Sequence, residues 1–423
     1  MEGFVLGIDL CNDYCRISAM KDVAMEPTDI SFVQADGRQV IQTAVGKKHD
    51  VDAWLIGREA YEAALTREGF VADNLLKRLN TNDGVQAGSV YYSPDELMTG
   101  FIRSLLDCVS SEMDGSSFKR IVFTVQKVDL AVMDALIRCT DALGISREKI
   151  HIVSHTEAFL YYTLSMKKEY WANECVLFDW SGNTLHYYTM NVTRGVKPQV
   201  VKVTHQILEE DFSADNLSDE HRQKVVDTVL ASHAEKLMEH KIISSVLLSG
   251  KGLIGCDNWS KRTFAQVICN RRKAYWELNL FARGAAVIGM DDLREKTAYP
   301  YTVICEGRIQ ASIMMDVLHG GVKKSLVLAQ QGSCWYDIRT SVDLILDNTN
   351  SINIKVVQSE GKLVRLVGIA LDNFPQRPPR TTRVQVILNF DSENEAVVRV
   401  IDMGFGELFP ATRVVKKSKI VIQ

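Results

Sequence analysis

Asp9 and Asp179 are the carboxylates whose setting in this chain could do chemistry. Each closes a short apolar run, Val5 to Ile8 and Cys175 to Phe178. Small polar residues follow: Cys11, Asn12 and Asp13 in the first case, Ser181, Gly182, Asn183 and Thr184 in the second. Two buried strands that each carry a carboxylate into a turn could hold a hydrated divalent metal between them, with backbone N–H groups facing phosphates. An aspartate after a strand is also a common turn former, so the surroundings decide. A second run follows each turn, Tyr14 to Ala19 and Leu185 to Met190, so the same hairpin occurs twice, about 170 residues apart. A third turn, Ser249 to Gly252, follows the apolar strand Val246 to Leu248, and its glycines let backbone approach a ligand closely.

The elements around these turns alternate between strand and helix. Val122 to Val125 reads as a strand, Asp129 to Leu143 as a helix and Ile150 to Val153 as the next strand. Val225, Val226, Val229, Leu230, Leu237 and Met238 recur at helical spacing within a helix from Glu220 to His240. From about residue 300 the pattern changes to β-branched runs separated by turn clusters such as Asp347 to Asn350 and Pro375 to Pro379. The chain therefore divides into a nucleotide-site type of domain at 1–296 and a β domain at 300–423, joined by a charged segment ending in Pro300.

In this order the motifs resemble the DnaK-type heat-shock chaperones of the actin-like ATPase superfamily. Gly7 to Leu10 resembles that family's first phosphate motif, Phe178 to Thr184 its second, Leu248 to Gly252 its adenosine motif, and Asn279 to Ala286 its closing helix. Asp73 to Leu79 is similar to the segment carrying the family's catalytic lysine, which makes Lys77 the candidate. Asn353 to Glu360, Gly368 to Leu371 and Val384 to Asp391 resemble its peptide-binding β-sandwich, so the resemblance covers nearly the whole chain.

The resemblance implies an α/β plus β fold: an actin-like (ribonuclease H-like) two-lobed nucleotide-binding domain, then a β-sandwich like a chaperone substrate-binding domain. It implies ATP or ADP contacts at Asp9, Asn12, Asp179, Gly182, Thr184, Gly250 and Gly252, with Asp9 and Asp179 facing Mg2+ through water. In the β domain it matches Ile352 to the residue lining the central peptide pocket, although an alternating Ile352, Ile354, Val356 face is also the core of any β-sandwich. Lys323 stands where the family has an apolar residue arching over the peptide, which tilts preference toward acidic or polar segments.

Departures from the family pattern gather at the chemistry. The turn that supplies its catalytic carboxylate corresponds to Ser154 to Glu157, with His155 at the glutamate position. An imidazole does not replace an anionic acceptor beside a magnesium-bound phosphate. Glu157, about 200° further round the helix, points elsewhere. His186 replaces an aspartate of the second phosphate turn, and a carboxylate at Asp13 would repel phosphates. Only about fifty residues separate Val192 from Val246, so the subdomain gripping the base is reduced to little more than the helix from Glu220. The chain ends directly after the strand Lys419 to Ile422, without the family's helical lid.

Composition narrows the classes further. The 423 residues, 46% hydrophobic and 24% charged, suit two or three globular domains, and the net charge of -4 argues against a general nucleic-acid or anionic-membrane binder. No apolar run approaches spanning length, and Met1, Glu2 and Gly3 lack the basic start of a signal peptide, so the expected location is cytoplasmic. The nine cysteines form no Cys-x-x-Cys pair, and Cys11 and Cys15, the closest two, read as small hydrophobes on a strand. The expected function is a chaperone-like or scaffolding module that binds proteins or extended peptides, with a degenerate, non-hydrolysing cleft that holds ATP or ADP with Mg2+ or nothing. Its alternatives are an active ATPase chaperone with rearranged catalytic residues, or an actin-like self-assembling structural protein; oligomeric state is left open.

Overall fold

Apolar residues fill both faces of the strand Phe4–Leu10, which is buried along its whole length, as a strand covered on both sides must be. It pairs antiparallel with Tyr14–Lys21 through a turn at Cys11 to Asp13, and parallel with Phe118–Val125, which in turn pairs parallel with Ile150–Ser154. The strand Glu174–Ser181 repeats this arrangement. It pairs antiparallel with Thr184–Thr193 and parallel with Ile243–Ser249, beside which Lys273–Trp276 runs parallel. Thus the duplicated hairpin seen in the sequence is a duplicated sheet topology. The computed structural model describes residues 3–422 apart from 23, 31–39, 114–116, 196, 211, 214–216, 218, 271 and 359–362. Met1, Glu2, Ser359 and Glu360 lie outside the described residues.

The chain divides into two compact units, residues 1–191 with 203–299, and residues 192–202 with 300–423. The change of unit after Tyr299 falls beside the charged joining segment, and residues 192–202 group with the second unit. The reason is a hydrogen-bond ladder: Val200 to Lys202, at the start of the strand Val200–Glu209, pairs in parallel with Thr302–Ile304. The stretch after Val192 therefore holds a strand as well as the expected helix, Glu220–Met238.

Helices set the site in the first unit. Ser154 ends its strand and caps the helix His155–Ser165, its hydroxyl accepting from the Glu157 N–H at 3.2 Å. The helix Leu280–Asp292 packs close against strand Phe4–Leu10 and helix His155–Ser165. A Cβ at Gly7 would stand 2.0 Å from the Ala282 carbonyl oxygen, and one at Gly284 2.0 Å from that of Ala158. After this helix the charged joining segment folds back, with the Thr297 hydroxyl and Ala298 N–H donating to Asp291 at 2.6 and 2.7 Å.

In the second unit two four-stranded sheets pack around one core, and Thr340–Leu346, Ser351–Val357 and Thr382–Ser392 alternate between more and less buried residues. One runs Val322–Ala329, Ser312–His319, Ser351–Val357, Leu363–Ala370; the other runs Thr340–Leu346, Thr382–Ser392, Glu395–Gly404, Val415–Val421. Ile352, Ile354 and Val356 share one core cluster with Val384, Val386 and Leu388.

Candidate functional site

The helix cap at Ser154 puts His155 on the first helical position, and its ring stacks on Phe281, with centroids 3.9 Å apart and planes 7° from parallel. Held this way, His155 Nε2 lies 2.8 Å from Asp9 Oδ1, with both residues buried. The Cys11 thiol, two residues on and half-buried, lies 3.6 Å from the same carboxylate oxygen. Where the family resemblance expects a metal-facing carboxylate and a second acid, the structure has a carboxylate already engaged by an imidazole.

Asp179 is equally buried and differently held. Ser181 donates to its Oδ1 at 2.7 Å and accepts from the Tyr14 hydroxyl at 3.0 Å, which ties the second turn to the first hairpin. Burial pushes the Asp179 carboxyl up to about 6; the Ser181 hydrogen bond and His155 oppose that rise, while Asp9 adds to it. A cavity of about 480 Å³ opens beside these groups, bordered by Cys11, Asn12, His155, Asp179, Gly182 and Thr184. Asp13 also faces it, its carboxyl raised by burial, as does His186, whose imidazole is pushed down to about 3 by burial and by His205 and His155. His186 is therefore neutral, with Gln126 Nε2 3.2 Å from its Nε2.

Three predicted contacts fall elsewhere. Lys77 is exposed, and it is Leu76 on the helix Leu75–Thr81 that borders the cavity; Lys77 touches the turn only through its backbone N–H, which donates to Asn12 Oδ1 at 3.0 Å. Gly250 and Gly252 do not border the cavity either. At Gly250, with φ of 85°, a Cβ would stand 2.2 Å from the Trp180 carbonyl oxygen, and at Gly252 2.1 Å from the Trp180 ring. Gly250 makes room for the Trp180 backbone and Gly252 for its indole, which is itself packed on Phe212 and Trp259. The residue that fills this side, Trp180, follows Asp179 directly, and a large aromatic at that point in the turn was the available signal.

The residues present do not fit a magnesium nucleotide. Asp9 is engaged by His155, and Asp13 adds a further carboxylate to the cavity. The glycines expected at the adenosine are buried under Trp180. Glu157, buried in the helix, does not border the cavity.

Residues 26–306 match the model described as the C-terminal part of a family of unknown function, DUF5716. The chain belongs to the DUF5716 family. Residues 308–422 match a domain of unknown function, DUF8552, and no curated protein matches the chain. The junction of the two matches in this DUF5716 chain falls a few residues beyond Tyr299, where its structural units change.

In the DUF8552 region the two residues assigned to peptide binding are placed differently. Ile352 is 4% exposed in the sandwich core, so the groove-anchor assignment is corrected: its alternation with Ile354 and Val356 is that of core-facing positions. Lys323 is exposed on the edge strand Val322–Ala329, but its ammonium lies 3.0 Å from Asp316, which Lys355 also engages at 2.6 Å. Its charge is thus partly answered within the sheet, which weakens the expected preference for acidic segments. Among the described residues no helix is long and apolar enough to cross a membrane.

Proposed function

We propose that this DUF5716 chain is a chaperone-like or scaffolding module that binds protein segments and does not hydrolyse ATP, built on an actin-like first unit and a chaperone-type sandwich. The observation that carries the non-hydrolysing half is the 2.8 Å contact between buried His155 Nε2 and Asp9 Oδ1. Phosphoryl transfer depends on metal and carboxylates positioned around the phosphates, and here the imidazole stands on one of those carboxylates. The repeated sheet topology, each hairpin extended by two parallel strands, supports the actin-like assignment.

The binding half rests on the sandwich edges. Among the described residues Val322–Ala329 and Leu363–Ala370 are the outer strands of their sheet, with Val322, Val327 and Leu366 exposed. Such edges accept an extended segment as an added strand. Phosphate release from Mg–ATP by the full chain tests the first half: background turnover is expected, and magnesium-dependent turnover lost in Asp9→Asn overturns it. An array of extended peptides probed with the full chain tests the second, and retention of none argues against it.

A further inference from the structure

The cleft that does not suit magnesium holds a different donor set. Cys11 Sγ, an Asp9 carboxylate oxygen and a ring nitrogen of His155 lie within 4.8 Å of one another. They come from the strand Phe4–Leu10, the turn that follows it and the start of the helix His155–Ser165, and 146 residues separate the aspartate from the histidine. We infer that Asp9, Cys11 and His155 form a binding site for a thiophilic divalent metal of the zinc class.

Three arguments support this assignment. The first is donor chemistry: thiolate, imidazole and carboxylate together select zinc-class ions, whereas magnesium takes oxygen ligands and keeps its waters. The second is geometry. Zn–S and Zn–O bonds of about 2.3 and 2.1 Å at a tetrahedral angle put S and O about 3.6 Å apart, and Cys11 Sγ lies 3.6 Å from Asp9 Oδ1. The same reasoning asks for about 3.4 Å between N and O, so His155, at 2.8 Å, needs to withdraw by a fraction of an ångström. The third is access and an open position. Cys11 and His155 both border the cavity, which gives the ion an entry path and leaves room for water as a fourth ligand.

On binding, the metal replaces the proton of the Cys11 thiol and takes the Nε2 lone pair of His155. The thiol proton leaves to solvent as the Cys11 sulfur becomes a thiolate, and the proton on His155 Nε2, if present, is released or moves to Nδ1, freeing the lone pair. Phe281, stacked flat on the imidazole, keeps the ring in the plane this requires.

The test is titration of the metal-free full chain with Co2+, followed by displacement with Zn2+. One equivalent of Co2+ should bind with a thiolate-to-cobalt band in the near ultraviolet and d–d bands of tetrahedral intensity, and Zn2+ should abolish both. Outer ligand partners alone are worth roughly 10- to 100-fold in affinity, so Cys11→Ser should weaken Co2+ by about 100-fold or more and remove the near-ultraviolet band. His155→Asn should weaken it similarly while keeping that band at saturation. Absence of a thiolate band in the wild-type chain overturns the site, whatever the variants do, as does unchanged affinity in a folded Cys11→Ser. These readouts are independent of ATP turnover, so failure here and failure of the non-hydrolysing reading are separate results.

Discussion

Two buried carboxylates, Asp9 in the first unit and Asp402 in the second, are held in opposite ways. Asp402 receives a two-pronged contact from Arg377 at 2.7 and 2.9 Å, and its oxygens also accept from the Gly404 and Thr412 backbone N–H groups and the Thr412 hydroxyl. Its partner is a permanent cation in fork geometry, and the pair is 5% and 0% exposed. The contacts of Asp9 come from groups that can change state: an imidazole and a thiol, both bordering a cavity. A carboxylate saturated by fixed donors holds a fold together. One held by exchangeable partners beside open space keeps chemistry available.

Variants that separate the two should differ most at Asp402. Asp402→Asn leaves Arg377 buried without its counter-charge and should cost about 3–5 kcal/mol in urea unfolding of the second unit. Its pairing also holds the Asp402 carboxyl below the usual carboxylate range, chiefly through Arg377 and Thr412 acting against burial. This stabilisation is therefore complete above about pH 4 and is lost as pH falls below it. A loss under about 1 kcal/mol would dissolve the contrast between the carboxylates.

Gly250→Ala is next. It forces a side chain onto left-handed backbone and against the Trp180 carbonyl, at a cost of about 2–4 kcal/mol by the same measurement. A neutral result would return this glycine to the role of a ligand contact.

Asp179→Asn should act in the other direction. A carboxyl raised to about 6 when folded keeps a proton that the unfolded chain loses near pH 4. Stability therefore falls as pH rises between about 4 and 6, and the full penalty applies at pH 7. Removing the charge should raise stability at pH 7 by about 1–3 kcal/mol and flatten that decline, which paired urea melts at pH 4.5 and 7 would report. Asp9→Asn has the smallest expected effect, about 1 kcal/mol or less, because an amide offers both a donor and an acceptor to the imidazole ring. A loss as large as that of Asp402→Asn would make Asp9 an ordinary structural ion pair.

Much of the architecture was readable because local pattern and global fold agree. Apolar runs ending in Asp9 and Asp179 could only be buried strands entering turns, and the change of period near residue 300 marked the second unit. The family resemblance, rather than any local pattern, placed His155 in the turn that starts a helix. What it touches was not legible, because Asp9 is 146 residues away and no local pattern encodes that pairing. Cys11 looked like a strand hydrophobe until the turn carried it to the carboxylate. The glycines at 250 and 252 suited either a ligand or a close neighbour in the fold, and only packing against Trp180 decides between them. Ile352 failed similarly: period-two alternation says that one face is buried, without saying whether a groove or a core covers it. That Val200 to Lys202 pairs with Thr302–Ile304 was not legible, because the partner follows a hundred residues later.

The most direct test of the central claim is thermal unfolding of the full chain with ATP or ADP, with and without Mg2+, beside Asp9→Asn and Asp179→Asn. Ligand at about 100 times its dissociation constant would add about 2.7 kcal/mol to the folded state. The account predicts no magnesium-dependent shift in the wild-type chain, because His155 occupies the carboxylate that the metal needs. A stabilisation by nucleotide that requires Mg2+ and disappears in either aspartate variant would contradict it.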